Sequence, residues 1–162
     1  MNPGWKPAGI GLALGVIAAC AGVSPARTAE GARPSPRGQV VLPSGRALQV
    51  EVADTPEKQT RGYMFRERIS DDEGMVFIMD QLGFHPFWMK NCKVGLDILW
   101  LDENWRIVHL EKKVPPCKRD PCPSYQPMQV SLYVLEVRGG LAGREGLKLG
   151  DRIIYTPPPP AL

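Results

Sequence analysis

The chain has 162 residues, of which 43% are hydrophobic and 23% are charged. Its 20 basic and 17 acidic side chains leave a formal net charge of +3 at pH 7. Such a small and evenly spread excess of positive charge argues against nucleic-acid binding, which requires a basic patch or stripe. The length suits one domain with one hydrophobic core, and the sequence contains no internal repeat.

The N-terminal segment has the pattern of a bacterial export signal. A single positive side chain, Lys6, precedes an apolar stretch over residues 8–19 that is interrupted only by glycines. The stretch is too short for a membrane-spanning helix, which needs about 20 apolar residues, but it fits the hydrophobic region of a secretory signal. We therefore expect the protein to be exported to the periplasmic side of a bacterial membrane.

The end of this segment predicts how the protein is processed. The tetrapeptide IAAC, residues 17–20, resembles a bacterial lipoprotein signal: an aliphatic residue, two small residues and a cysteine. By this resemblance residues 1–19 are a lipoprotein signal peptide, and a lipid on Cys20 anchors the mature protein to the membrane. The alternative is ordinary cleavage after Ala26 or Ala29, which would discard Cys20 and leave a soluble periplasmic protein.

Composition divides the rest of the chain into a linker, a domain and a tail. Residues 20–38 are rich in Ala, Pro, Gly, Ser and Arg and have a single valine as their only large aliphatic residue, so they indicate a flexible linker. Residues 157–162 are a Pro-rich tail, and proline cannot donate the backbone hydrogen bonds of a sheet. The folded domain is therefore predicted over residues 39–156.

The first elements of the domain are a hairpin and a short helix. Two apolar runs, residues 39–42 and 47–52, flank a Pro-Ser-Gly-Arg turn and predict two paired strands. A cap of Asp54 or Thr55 with proline directly after it marks a helix start. We expect this helix over residues 56–64.

The remaining elements are mostly short strands. Apolar runs and turn residues predict them at residues 74–79, 87–91, 96–101, 105–112, 130–137 and 152–155, with a short turn or helix at 142–145. Seven or eight short strands at close spacing with one or two small helices predict a mainly β fold, either a sandwich or a barrel.

Two cysteines lie in the proline-rich loop VPPCKRDPCPSY. Because disulfides persist outside the cytoplasm and a short bent chain brings two Cα atoms within bonding range, we predict a disulfide between Cys117 and Cys122. A redox pair and half of a metal site are the alternatives, although zinc would need four ligands. Cys92 is interpreted as a buried, inert thiol.

Three sequence segments carry a resemblance to a known family. They are RGYMFRERISDDEGMVFIM, FWMKNCKVGLDILWLDENWRIVHL and YVLEVRGGLAGREGLKLGDRI, in this order. Together they resemble the motifs of the DUF192 family, also called UPF0127, over about residues 50–154. The resemblance implies a compact, jelly-roll-like β domain without an established activity, and it supports the disulfide through the Pro-Cys…Cys-Pro loop of exported members. Cys92 and Gly95 stand where Thr and Pro are expected.

The same resemblance supplies six candidate ligand-binding residues: Arg66, Trp88, Lys90, Asn91, Asp97 and Glu136. Asp97 and Glu136 lie within apolar strands, where a buried carboxylate needs a partner such as Arg66 or Lys90. One interpretation is an internal salt-bridge network that fixes the fold. The other is a pocket beside Trp88 whose charged groups orient a ligand.

Two further hypotheses use the acidic pair and the cysteine. Asp97 and Glu136 as paired carboxylates would make a hydrolase or a carbohydrate-active enzyme. Cys92 with a histidine would make a nucleophile and base. An enzyme of either kind is disfavoured, since nothing in the spacing supplies the oriented base or the distance between carboxylates.

A copper site is the remaining hypothesis. His85, Met89 and Cys92 are soft ligands that suit Cu(I). If residues 87–92 form one strand, however, alternation places Met89 and Cys92 on opposite faces. The preferred hypothesis is therefore an accessory module of the cell envelope that binds a small ligand or a protein, with no metal and no cofactor.

Overall fold

The computed structural model describes Met1 and residues 37–160. Apart from Met1, the predicted signal peptide, the Cys20 lipidation site and the linker as far as residue 36 lie outside the described residues, as do residues 161–162. In the part that the structure describes, no helix is long and apolar enough to cross a membrane.

Short strands make up most of the described domain. The elements are β1 Arg37–Val41, β2 Ala47–Ala53, α1 Pro56–Arg61, β3 Glu73–Gly83, β4 Phe87–Trp88, β5 Leu96–Leu101, β6 Ile107–Val114, β7 Ser124–Tyr125, β8 Ser131–Arg138, α2 Leu141–Arg144 and β9 Ile154–Thr156. The predicted mainly β class with short helices is confirmed.

Seven of these strands form one mixed sheet in the order β6-β5-β8-β3-β2-β1-β9, and β4 pairs with β7 in a separate two-stranded sheet. β1 and β2 are the predicted antiparallel hairpin, whereas β2 and β3 are parallel and joined through α1. An isolated bridge between Arg106 and Arg152 brings the two outer strands together at one point. The sheet does not close, so of the two predicted architectures a barrel is not the one formed.

The large sheet is covered on both faces by hydrophobic clusters. Alternate residues of its central strands belong to different clusters. Leu99 and Leu101 of β5 pack with Leu141 in what we call the α2-side cluster. Ile98 and Trp100 of the same strand belong to the α1-side cluster, which also contains Tyr63, Met75, Phe77, Met89 and Cys92. A single strand thus supports two cores, and its six side chains are all buried.

Helix α1 is shorter than predicted. Thr55 caps it by accepting a hydrogen bond from the Lys58 N–H, and proline occupies the first turn as expected. The helix ends at Arg61 because Gly62 takes a positive φ of 42°, which is accessible to glycine without steric cost. No residue of α1 is buried, so the helix lies on the surface of the α1-side cluster.

The segment after β4 differs from its prediction. The strand includes only Phe87 and Trp88, and a turn follows in which the Cys92 N–H donates to the Met89 carbonyl at 3.2 Å. Asn91 has a φ of +56°, which breaks strand geometry. Met89 and Cys92 consequently enter the same cluster, and the alternation argument that separated them is wrong.

Candidate functional site

Asp97 is a structural anchor. Its side chain on β5 is fully buried, and Oδ1 accepts hydrogen bonds from the Lys113 N–H at 2.6 Å and the Gly140 N–H at 2.8 Å. Its Oδ2 accepts from the Ala142 N–H at 2.7 Å. Backbone donors therefore satisfy the carboxylate and hold the β8–α2 connection against β5, and the predicted pairing of Asp97 with Arg66 or Lys90 is wrong.

Glu136 points to the other face of the sheet. In the β5–β8 register Asp97 lies opposite Val137, whereas Ile98 lies opposite Glu136. Side chains directly opposite each other share a face, so Glu136 faces the α1-side cluster with Ile98, and Asp97 faces α2. The sheet backbone lies between the two carboxylates, which excludes the arrangement that paired acid–base catalysis requires.

The carboxylate of Glu136 has an unusual setting. The residue is 3% exposed, and none of the described residues donates a hydrogen bond to it. Burial raises the pKa of this carboxyl from 4.5 to about 8, since removal from water disfavours the charged form. Glu136 is therefore mostly protonated at neutral pH in the absence of a ligand.

A narrow pocket opens above Glu136. A Cβ built on Gly62 would lie 3.8 Å from Glu136 Oε2 and 3.3 Å from the ring of Phe77, so the absent side chain of this glycine keeps the space open. The cavity has a volume of about 30 Å³. Its walls come from α1 and the segment after it, from β3, and from β4 and the turn after it. The lining residues are Gln59, Thr60, Arg61, Gly62, Tyr63, Met64, Phe77, Phe87, Trp88, Lys90 and Cys92.

Aromatic rings form much of this wall. Phe77 and Phe87 meet edge to face with centroids 4.9 Å apart. Trp88 is 47% exposed at the mouth, and Tyr63 is buried beside the carboxyl. Burial, and after it the nearby Glu136, raises the pKa of the Tyr63 phenol, so this side chain stays neutral.

A second, wider groove adjoins the first. It has a volume of about 280 Å³ and shares Gln59, Thr60, Phe77, Phe87 and Trp88 with the narrow pocket. Met79, His85 and Pro86 complete its lining. The narrow cavity therefore continues into a mainly apolar groove in which a larger ligand has room.

Lys90 lies at the rim of the pocket. Its Nζ is 5.5 Å from the ring centroid of Trp88 and 3.6 Å from Oδ2 of Asp120. Asp120 belongs to the cysteine loop, in which the sulfur atoms of Cys117 and Cys122 are 2.16 Å apart and the Cα atoms 5.6 Å, as predicted for a disulfide. The cysteine loop thus supplies the acidic partner of Lys90. The sequence instead suggests Glu136 or Asp97 for this role.

Besides Asp97, two of the six predicted site residues lie outside the pocket lining, Arg66 and Asn91. Arg66 makes a bidentate ion pair with Glu51 at 2.7 and 2.6 Å and lies 5.0 Å from the ring of Tyr63. Asn91 is exposed, and its carbonyl accepts from the Phe65 N–H at 2.8 Å. The predicted internal salt-bridge network is therefore wrong in its pairings, and only Trp88, Lys90 and Glu136 come together.

Cys92 lines the pocket as a neutral thiol. Burial, and secondarily Glu136, raises its pKa from 9.0 to about 11, which is opposite to the activation of a nucleophilic cysteine. His85 contacts the Gln81 carbonyl and His109 contacts Glu111, so the described histidines have other partners. No group of three His, Cys, Asp or Glu side chains among the described residues could hold a metal ion.

The other wall residues are only partly indicated by the sequence. Tyr63 and Phe77 lie in the first motif, and Phe87 and Cys92 in the second, but the sequence assigns no site role to the three aromatic residues and predicts Cys92 to be an inert thiol. Gly62 is the informative position, because a glycine near the end of the predicted helix 56–64 is a candidate cap with positive φ. Only the tertiary structure shows that the same glycine leaves space beside the carboxyl group of Glu136, 74 residues further along the chain.

The geometry defines a small, mainly β domain whose candidate site is a narrow pocket over a buried carboxyl group. The DUF192 family model, described as an uncharacterized ACR, matches residues 39–155. The chain therefore belongs to the DUF192 family.

Solved structures agree with this assignment. A crystal structure of a protein of unknown function from Novosphingobium aromaticivorans is 32% identical with a TM-score of 0.66, and the match covers 73% of this chain and 83% of that one. A protein from Sinorhizobium meliloti, provisionally described as a transcription regulator, is 29% identical with a TM-score of 0.65, covering 74% and 92%. No curated protein matches the chain.

Proposed function

We propose that this DUF192 domain is a ligand-binding module of the cell envelope and that its site is the Glu136 pocket. The observation that carries the proposal is the Glu136 carboxyl, which is 3% exposed, lines a cavity and receives no hydrogen bond from the described residues. The Glu136 carboxyl lines the cavity, so a ligand there can supply the hydrogen bond that no described residue donates.

Two features support the proposed location in the envelope. The IAAC segment at residues 17–20 has the pattern of a lipoprotein signal. The Cys117–Cys122 pair lies at disulfide distance, and such bonds persist in oxidising compartments. Both features support an exported protein, and the first also supports a membrane anchor at Cys20.

Binding is favoured over catalysis because the chemistry at the pocket is incomplete. Asp97 is on the opposite face of the sheet, and Cys92 is a neutral thiol without a histidine beside it. What the pocket offers is a carboxyl group, aromatic surface and an adjoining apolar groove, which are features of a small-molecule site.

A pocket-filling variant tests the proposal. Thr60 is exposed and lines both the pocket and the groove, so Thr60→Trp places a large side chain across the mouth without altering the core. The control is Glu57→Trp, which adds the same side chain on an exposed part of α1 outside both linings.

The measurement is a thermal-shift screen of a chemically diverse small-molecule library, with hits followed by calorimetric titration. We expect compounds that bind the wild-type protein and Glu57→Trp but not Thr60→Trp. Hits that bind Thr60→Trp equally well would place the site elsewhere, and a library without any hit would contradict the proposed function.

A further inference from the structure

We propose that the Glu136 pocket receives the primary ammonium group of a small organic ligand whose apolar part lies in the adjoining groove. This inference deepens the proposed function and rests on it. Its basis is the combination of a buried acidic group without a partner, a cavity of ammonium size and a wall of aromatic rings.

The acidic group sets the sign of the ligand charge. Glu136 forms the floor of the cavity, and no described residue compensates its carboxylate. A bound cation would do so, and an ion pair removed from water is stronger than the same pair at the surface.

The aromatic wall favours the same sign. The face of each ring carries partial negative charge, which attracts cations and repels anions. The molecule already contains one such contact, since Lys90 Nζ lies 5.5 Å from the Trp88 ring centroid. Tyr63, Phe77 and Phe87 present further ring surface to the cavity.

The other titratable and charged groups at the pocket do not reverse its preference for a cation. Tyr63 and Cys92 have raised pKa values and remain neutral. Arg61 is exposed on α1, where solvent screens its charge. Lys90 lies at the rim with Asp120 3.6 Å away. The remaining contacts of Glu136, from β3 and β5, are the apolar side chains of Met75 and Ile98 in the sheet register.

The volume limits the size of the ligand head group. About 10–15 Å³ is needed to hold one water molecule, and the cavity measures about 30 Å³. A primary ammonium group has nearly the size of water and fits, whereas a trimethylammonium group does not. The groove of about 280 Å³ takes the rest of the ligand against Met79, Pro86 and Phe87.

Four probes with alkyl chains of similar length and different head groups test the inference. Isothermal titration calorimetry compares hexylammonium, 1-hexanol, hexanoate and hexyltrimethylammonium on the wild-type protein. We expect hexylammonium to bind about tenfold more tightly than each of the others, as one strong ionic contact provides. Equal or tighter binding of hexanol, hexanoate or the quaternary ion, or no binding of hexylammonium, would overturn the inference.

Proton release gives a second, independent readout. Glu136 is protonated below about pH 8 in the empty pocket, and pairing with a cation drives off its proton. Titration at pH 7 in buffers of different ionisation enthalpy should therefore show the release of about one proton per hexylammonium bound. Binding without proton release would contradict the assignment of Glu136 as the counter-ion.

Variants separate this inference from the proposed function. Glu136→Gln keeps the shape of the side chain but should weaken hexylammonium about tenfold and abolish proton release, while Glu103→Gln, in an exposed turn, should change neither. If the library screen yields a neutral or anionic ligand that Thr60→Trp blocks, the ammonium inference fails and the binding module stands.

Discussion

Two acidic residues on neighbouring strands have opposite environments in this protein. Asp97 has three backbone N–H donors within 2.8 Å, whereas Glu136 has none among the described residues. Both are at least 97% buried, so burial alone does not explain the difference. Asp97 faces the N-terminal end of α2 and its free amides, and Glu136 faces side chains of the α1-side cluster.

Replacement of Asp97 by asparagine should destabilise the fold strongly. An amide has one acceptor oxygen and presents its NH₂ group to a backbone donor, which leaves at least one buried N–H group without an acceptor. We expect a loss of about 3 kcal/mol or more in the free energy of unfolding, measured by chemical denaturation.

Asp102→Asn is the matched control for that substitution. Asp102 accepts two backbone N–H groups at 2.8 Å through Oδ1 alone, and an asparagine oxygen can do the same. Its free energy of unfolding should change by less than about 1 kcal/mol. Similar effects of the two substitutions would show that Asp97 is not an anchor.

Glu136 should make stability depend on pH. Its pKa is higher in the folded protein, about 8, than the ordinary value of 4.5, so the folded state binds the proton more tightly. The contribution of this group is complete below about pH 4.5 and is lost as the pH rises towards about 8.

The difference between wild type and Glu136→Gln isolates that contribution. The stability of the wild type relative to the variant should fall between pH 4.5 and 8, with a slope of at most about 1.4 kcal/mol per pH unit. Melting temperatures over this pH range provide the measurement. Parallel profiles for the two proteins would mean that the carboxyl group of Glu136 titrates normally.

At the scale of elements, the pocket depends on how two short segments end. Helix α1 ends before Gly62, and strand β4 ends at Trp88. Both elements are short, and after each of them the chain turns across the sheet. The pocket is lined by the last residues of α1 and by β4 together with the turns that follow them. This agrees with the general rule that binding residues lie on loops positioned by a rigid scaffold.

The cysteine loop should stabilise the domain modestly. The Cys117–Cys122 bond closes a ring with a sequence separation of 5, and the entropy lost by the unfolded chain is small for short rings. We expect the Cys117→Ser/Cys122→Ser variant to lose about 2 kcal/mol or less in the free energy of unfolding.

The same double variant also has a local consequence at the pocket rim. Asp120 lies within the ring and contacts Lys90, so loosening the loop should increase the mobility of Lys90 over Trp88. A change in Trp88 fluorescence on reduction of the wild type, absent in Lys90→Met, would report it. A loss of cooperative unfolding would instead show that the disulfide is essential to the whole fold.

At the scale of the whole molecule, the N-terminal segment predicts how the protein is processed and where it is located. We expect the mature protein to begin at Cys20 and to fractionate with membranes, with a mass several hundred daltons above that of the polypeptide because of the lipid. Intact mass spectrometry of the protein from a bacterial host measures this. Cys20→Ser should be soluble and unlipidated, and a wild-type mass that begins after Ala26 or Ala29 would contradict the lipoprotein hypothesis.

Family membership, the mainly β class and most strand positions could be predicted from the sequence, because strand patterns and turn residues are local signals. The hairpin of β1 and β2 is an example, since proline and glycine in its turn act over four residues. The disulfide was also predictable, because the two cysteines are close along the chain.

The arrangement of the candidate site was decided by the tertiary structure alone. Asp97 and Glu136 look alike in the sequence, as single acids within apolar strands, but the β5–β8 register places them on opposite faces. Met89 and Cys92 look separated by alternation, but a turn at Asn91 brings both into one cluster. The sequence determines which residues are available for chemistry, whereas register and turns, which join residues distant along the chain, determine which of them meet.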